Sequence, residues 1–307
     1  MTSIRSKKSL LLSMVMLLVL AACGGDDGGG GGSGAESKGE VTVGVSGAFA
    51  ENQIVAEMYA QVLEDAGYTV DRQLDIGARD VSQAALNRGE IDIVPEYLAS
   101  LLLFLNPDET AGPNGDETAE KIRGLLEGEG LVLLEPSSAD DTNAIVVTAE
   151  TAEEHDLQQV SDLADVAGQM TFGGPPECPE RPFCIPGLRD TYGINFQEFR
   201  PLDVGGPLTV AALEGGEIDV ALLFSTSSVI EDKGWVLLED DKNLQAAENI
   251  TPLVREEVLN DEIEELLNGV SEALTTETIT ELNARVEIDN DDPAEVAREF
   301  LEEEGLL

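Results

Sequence analysis

The apolar positions of this chain change period several times, and each change marks an element. Residues 41–46, Val-Thr-Val-Gly-Val-Ser, read as a buried first strand. Over 51–66 the apolar residues Ile54, Val55, Met58, Tyr59, Val62 and Leu63 recur at helical spacing, and Gly67 ends the run. Residues 68–74 predict a second strand, 81–86 a helix and 91–94 a third strand. This β-α-β alternation argues for a mainly parallel α/β sheet. The pattern then starts again. Strands are predicted at 144–148, 170–173, 218–224, 236–238 and 250–254, with a helix at 207–213. Residues 259–307 read as helical and rich in Glu.

One stretch of the first half is echoed in the second. Ala85-Leu-Asn-Arg-Gly-Glu-Ile-Asp-Ile-Val-Pro-Glu-Tyr97 matches Ala212-Leu-Glu-Gly-Gly-Glu-Ile-Asp-Val-Ala-Leu-Leu-Phe224. Each reads as a helix end, a Gly turn, Glu-Ile-Asp, a buried strand and an aromatic at the strand's carboxyl end. Two lobes built alike would give this. Ligands of open α/β sheets bind beyond the carboxyl ends of the strands, which would set Tyr97 and Phe224 facing each other across a cleft. The competing reading is a common helix–turn–strand pattern that arises twice, with both aromatics in cores.

The first 22 residues have another character. Arg5, Lys7 and Lys8 precede the almost wholly apolar run 9–20, which is the length of a secretory h-region and too short for a membrane span. Leu20-Ala-Ala-Cys23 resembles the bacterial lipobox, which implies cleavage before Cys23 and lipidation of its thiol. The Gly-rich segment to residue 40 then reads as a flexible tether. Two cysteines remain, Cys178 and Cys184, close together in a Pro-rich stretch. In an oxidising compartment they predict a disulfide, with a metal site as the weaker reading. His155, the single histidine, has no partner ligand near it in sequence.

Charge narrows the function. There are 62 acidic against 17 basic residues, a net −45; cleavage before Cys23 would remove Arg5, Lys7 and Lys8 and take it to −48. Nucleic acid is excluded as a partner, because phosphate binding needs clustered Lys and Arg. An acidic surface of this kind also suits a salty environment. An enzyme is not expected: no nucleophile motif lies near His155, and the Gly-Gly pairs are not phosphate fingerprints.

Seven segments taken in order carry a resemblance. They are Phe49-Ala-Glu-Asn, Gly89-Glu-Ile-Asp-Ile-Val-Pro-Glu-Tyr97, Val160-Ser-Asp-Leu163, Phe172-Gly-Gly-Pro-Pro-Glu177, Pro186-Gly-Leu188 with Tyr192-Gly193, Leu238-Glu-Asp-Asp-Lys242 and Pro252-Leu-Val-Arg255. The tail from Leu282-Asn to Pro293-Ala-Glu-Val-Ala-Arg-Glu-Phe-Leu301 extends it. From residue 41 to 307 the chain resembles the glycine betaine/choline/proline betaine-binding proteins of ABC importers. The resemblance implies a two-lobed periplasmic-binding-protein fold (type II-like), with the ligand cleft between the lobes. Residues 41–141 and 247–307 would form the first lobe and 142–246 the second, with crossings near Asp141 and Ala246. It implies a monomeric, lipid-anchored protein on the extracytoplasmic face of the membrane. That protein would capture a quaternary-ammonium osmoprotectant by lobe closure and hand it to an ABC permease, without cofactor or metal. A ligand-sensing surface lipoprotein, or the same fold binding a more polar or amine ligand, is the alternative.

Carried over by position, Tyr97 matches a cage tyrosine, and Phe224 stands where another is usual. Asn143 and Glu248 replace two further aromatics, and Gly47 replaces a lysine of some members. Arg181 matches an arginine that can reach a ligand carboxylate, held there by the Cys178–Cys184 loop, and Ser100 matches a threonine beside the cage. A quaternary ammonium has no N–H donor and is held best by aromatic faces, while a betaine carboxylate wants Arg, Lys or backbone N–H groups. A buried Glu248 would want a cation or donors beside it.

Overall fold

Two five-stranded sheets share one strand plan, and each takes its fourth strand from chain arriving out of the other. The computed structural model describes residues 38–45, 49–77 and 79–307. Cys23, the leader, the tether before residue 38 and Gly47 lie outside the described residues. The first sheet begins with β1 (Glu40–Gly44), α1 (Ala50–Asp65), β2 (Thr69–Gln73), α2 (Arg79–Arg88) and β3 (Ile93–Tyr97). It continues with α3 (Leu98–Leu105), α4 (Gly115–Leu126) and β4 (Leu131–Leu133). The chain then crosses to β5 (Asn143–Val147), α5 (Ala149–His155), β6 (Thr171–Gly174), α6 (Ile185–Tyr192) and β7 (Glu198–Pro201). After α7 (Pro207–Glu214), β8 (Val220–Phe224), α8 (Val229–Asp232) and β9 (Val236–Leu237) it returns as β10 (Ile250–Arg255). Helices α9 (Asp261–Ala273), α10 (Thr276–Glu287) and α11 (Pro293–Glu303) close it.

The strand orders are β2-β1-β3-β10-β4 and β7-β6-β8-β5-β9. In each sheet three parallel strands are followed by one antiparallel strand, β10 or β5, that has just crossed over. Both faces of both sheets are covered by apolar clusters. The C-terminal helices pack through Leu267, Val270, Ile279, Ala297 and Leu301 into the cluster that holds Ile54, Met58 and Tyr59 of α1, so they belong to the first half.

The internal echo is a pair of equivalent clamps. Asp92 donates its N–H to Thr42 O and accepts from Thr42 N on Oδ2, at 2.8 and 2.9 Å. Asp219 does the same to Thr171, at 2.9 and 2.7 Å. The preceding glycines, Gly89 and Gly216, both take the left-handed turn that lets the helix end there. The isoleucines of the two Glu-Ile-Asp runs fold over Gly44 and Gly173 so closely that an added Cβ would stand 2.8 and 2.5 Å from their Cδ1 atoms. Each half therefore ties the start of its third parallel strand to its first by the same three residues.

Strand β3 runs past the sequence-predicted end at 94, because Pro95 faces Pro252 of β10. Two residues without an N–H can face each other only at a non-hydrogen-bonded pair, so neither proline breaks the ladder. Cys178 and Cys184 form a disulfide with both residues buried. Trp235 packs in the second half beside Ala212 and Ile230, and His155 is exposed at the end of α5.

Removing the carboxylate of the second clamp, Asp219→Ala, is expected to lower the unfolding free energy by about 1–2 kcal/mol. Asp92→Ala should cost more, because Arg255 Nη1 also donates to Asp92 Oδ1 at 2.8 Å. Denaturant unfolding of both variants checks this; parental stability in both would mean the clamps contribute nothing.

Candidate functional site

The carboxyl ends of β1, β3 and β8 bring three aromatic rings together. Phe49 lies five residues beyond the end of β1 at the N-cap of α1, with extended backbone and no side-chain cap to its helix. Its ring centroid is 6.0 Å from that of Tyr97, which ends β3, and 5.5 Å from that of Phe224, which ends β8. Tyr97 and Phe224 thus do not meet directly; Phe49 stands between them. Phe49 and Phe224 face a cavity of ≈ 380 Å³ between the halves, whose walls also include Val204, Pro207 and Val210 from around the start of α7 and Ile288 beyond α10. That volume falls within the usual range for small-ligand sites.

Carboxyl groups supply most of the cavity's polarity. Glu51 in the first turn of α1 and Asp141 in the first crossing are both buried, and Glu287 reaches in from the end of α10. Tyr97 shares its hydroxyl hydrogen between Glu51 Oε1 at 2.7 Å and Asn52 Oδ1 at 2.9 Å. Thr226 Oγ1 donates to Asp141 Oδ1 at 2.7 Å, and Ser228 Oγ to Glu287 Oε2 at 3.1 Å. Asn283 of α10 donates to Glu51 Oε2 at 3.1 Å and to Thr226 O at 3.2 Å, which bridges the two halves. Burial pushes the Glu51 carboxyl up, against hydrogen bonds from Tyr97, Thr226 and Asn283 that pull it down. Asp141 is held well above the usual carboxylate range, first by burial and then by the charge of Glu51. Burial also raises Glu287. No Lys or Arg is among the described residues lining the cavity. The arrangement lowers its own electrostatic cost by taking up a cation.

The family described as the substrate-binding domain of ABC-type glycine betaine transport systems matches residues 39–303. The glycine-betaine-binding protein of Pseudomonas aeruginosa is 32% identical over 273 residues, spanning 84% of this chain and 86% of its own. The glycine betaine-binding protein YehZ of Escherichia coli is 26% identical over 267 residues, 83% and 88% of the two chains. The chain belongs to this family. A crystal structure of a glycine betaine/carnitine/choline ABC transporter matches the fold with a TM-score of 0.75 at 23% identity, over 87% of this chain and 99% of that one. The expected fold class, a two-lobed α/β binding protein, is borne out. So is the expected role as the substrate-binding component of an ABC transport system. Members of the family are transport proteins rather than enzymes.

The sequence-predicted site residues fall into three groups in this family fold. Tyr97 and Phe224 belong to the aromatic row. Ser100 and Glu248 bind each other: Glu248 accepts from Ser100 N at 3.0 Å and from Ser100 Oγ at 2.6 Å. Glu248 therefore caps the first turn of α3, whose own N-cap residue, Tyr97, cannot do so. Burial pushes its carboxyl up to about 7, opposed by the two Ser100 bonds and by Arg79. Arg79 donates from Nε to Glu96 at 2.9 Å.

Asn143 and Arg181 stand elsewhere. Asn143 donates to Gln245 Oε1 at 3.0 Å and faces a separate cavity beside Tyr192 and Leu238, because the second crossing offers its amide a nearer acceptor. Arg181 is 59% exposed and pairs with Glu177 on its own loop at 3.1 Å, so the disulfide does not turn it towards the interlobe cavity. Phe49, Glu51, Asp141 and Asn283 are the residues that sequence reasoning passed over. Phe49 could have been found by applying the strand-end rule to β1 as well as to β3 and β8. Asn283 gave no local signal, since only the return of α10 to the first half brings it in.

The raised Glu248 carboxyl has a testable sign. Ionisation is disfavoured in the folded state, so this group withdraws stability as pH rises from about 4.5 to about 7. A neutral Gln keeps an acceptor for Ser100 and escapes that loss. The melting temperature of Glu248→Gln relative to the parent should therefore rise between pH 5 and pH 8. A flat or falling difference would mean the carboxylate is comfortable when charged.

Proposed function

We propose that the chain captures a small quaternary ammonium compound in the interlobe cavity and presents it, lobes closed, to an ABC permease. The supporting observation is the convergence of Phe49, Tyr97 and Phe224 with the buried carboxyls of Glu51 and Asp141. Aromatic faces attract a diffuse cation that has no N–H to offer, by roughly 0.5–2 kcal/mol per desolvated ring. The carboxyls add a negative field that a low-dielectric cavity strengthens. The Pseudomonas and Escherichia relatives are both named for glycine betaine, which is a quaternary ammonium compound.

Closure is proposed to act at the two crossing segments, residues 134–142 and 238–249, which are the chain connections between the sheets. Hinge movement there would narrow the cavity between the α7 start and the Phe49–Phe224 pair and shed water from the bound cation. The leader, the lipobox at Cys23 and the Gly-rich tether support a protein held by lipid on the extracytoplasmic face of the membrane. No helix among the described residues is long and apolar enough to cross it.

Calorimetric titration of the purified protein against glycine betaine, choline, proline betaine and carnitine is expected to show binding of at least one. Phe224→Leu and Tyr97→Ala should each weaken that ligand by about tenfold, the scale of one lost cation–π contact, while Trp235→Phe leaves it within twofold. Silence from all four compounds with the folded protein would sink the proposal; equal losses at Trp235 and Phe224 would move the site.

The anchor has its own test. Cys23→Ser should shift the protein from the membrane fraction to the soluble fraction with unchanged ligand affinity. Continued membrane association would refute lipidation at Cys23.

A further inference from the structure

Two hydroxyl groups beside the interlobe cavity each stand between two acceptors and have one hydrogen to give. Tyr97 Oη lies 2.7 Å from Glu51 Oε1 and 2.9 Å from Asn52 Oδ1. Thr226 Oγ1 lies 2.7 Å from Asp141 Oδ1 and also bonds the Glu51 carboxyl. With both carboxyls ionised, these acceptors compete for the same two hydrogens. A proton on Glu51 relieves the shortage. Glu51 Oε1 then donates to Tyr97 Oη, and Tyr97 passes its own hydrogen to Asn52 Oδ1. Asn283 Nδ2 still serves Glu51 Oε2 at 3.1 Å, and Thr226 still serves Asp141.

No base offsets the charge of the pair. Glu51 and Asp141 are 1% and 5% exposed, and both line a cavity with no Lys or Arg among its described lining residues. The groups that face them from neighbouring elements are mostly acids. Glu287 of α10 faces Glu51 and accepts from Ser228. Glu248 of the second crossing faces Asp141, is held by Ser100 and has Asp140 beside it. Arg79 of α2 faces Tyr97 and Glu248, and its Nε is taken by Glu96 of β3. Burial raises the carboxyl of Glu51 and holds that of Asp141 well above the usual range, the latter helped by the charge of Glu51. Two like charges buried together ionise together only when a counter-charge joins them.

Resting on the quaternary-ammonium reading above, we infer that the Glu51–Asp141 pair shares one proton while no cation is bound, and that uptake of the ligand's ammonium expels it. One positive charge enters the cavity and one leaves to solvent, so the exchange is electrically neutral. The ligand need not touch either carboxyl, because the field of a cation against Phe49 and Phe224 reaches them through a low-dielectric wall. The unliganded protein therefore holds more protons than the liganded one. Affinity falls as pH falls, by about tenfold per pH unit over the range in which one proton is exchanged. The ligand is held in neutral surroundings and given up in acid ones.

The test is calorimetric titration of the purified protein with choline and with glycine betaine, neither of which changes charge near neutral pH. Repeating it in buffers of different ionisation heat counts the protons. At about pH 7 the parent is expected to release about one proton per ligand bound, and to bind about tenfold more weakly at about pH 6. Glu51→Gln, which keeps an acceptor for Tyr97, and Asp141→Asn should each cut the release to below about a third of a proton and flatten the pH dependence. Glu248→Gln should leave the release as it is. Thermal melts identify which variants are folded, and either member of the pair serves if the other is not. Binding by the parent without proton release, or a release that disappears in Glu248→Gln, would overturn the inference and leave the quaternary-ammonium reading standing. Infrared difference spectra of the unliganded protein read the proton without any ligand. They should show a protonated-carboxyl C=O band that Glu51→Gln or Asp141→Asn removes, and absence of that band overturns the inference whatever binds. Silence from every quaternary ammonium would remove both readings.

Discussion

The two crossing segments lie side by side and are hydrogen-bonded to each other, and the rest of the molecule is arranged around that pairing. Asp140 bridges Asn249, Ile250 N–H donates to Ala139 O at 3.0 Å, and Glu248 N–H donates to Asp140 Oδ1 at 2.7 Å. Each crossing then runs straight into the fourth strand of a sheet, between the parallel strands and a short edge strand. Neither half can complete its sheet without chain supplied through the crossing. The two crossings are therefore tied to each other as well as to the sheets they enter. The first crossing also supplies an acid to the site, because Asp141 stands within it and lines the cavity. Connection and binding chemistry are thus not separable here: whatever changes the charge state of Asp141 acts on a segment that joins the halves.

That coupling explains why a chain with a net charge of −45 can still have a cleft with electrical character of its own. Most of its ion pairs are exposed, such as Arg88 with Glu90 or Arg189 with Asp190, and contribute little because water and salt screen them. Glu51 and Asp141 differ by burial, not by number. Desolvation raises the cost of their charge, and no cation lines their cavity. An acidic surface is compatible with many functions, whereas two buried, hydrogen-bonded carboxyls beside three rings favour one kind of ligand.

Much of the fold was legible because its signals are local. The Glu-Ile-Asp echo was visible as a repeat, and the structure gives its cause: the aspartate must reach back to a threonine of the first strand, and the isoleucine must cover a glycine there. The aromatic strand ends followed from the same repeat. Less legible were contacts made by distant chain. Asn143 could be placed at a strand start, but its capture by Gln245 depends on the second crossing. Glu248 could be judged buried or exposed only once α3 was known to begin at Leu98 and to need a cap. Strand β3 reaches Tyr97, beyond the predicted end at 94, and the pairing of Pro95 with Pro252 that permits this joins residues distant in sequence.

Position 283 shows how the site and the fold constrain each other. Asn283 ties Glu51 of the first half to the backbone of Thr226 in the second, so it is part of what holds the halves in register. The same helix end brings Glu287 and Ile288 to the cavity, with Ser228 of the second half donating to Glu287 Oε2 at 3.1 Å. Contacts that hold the halves in register and residues that line the cavity therefore come from one short stretch, and this makes α10, remote in sequence from the strand ends, a wall of the site.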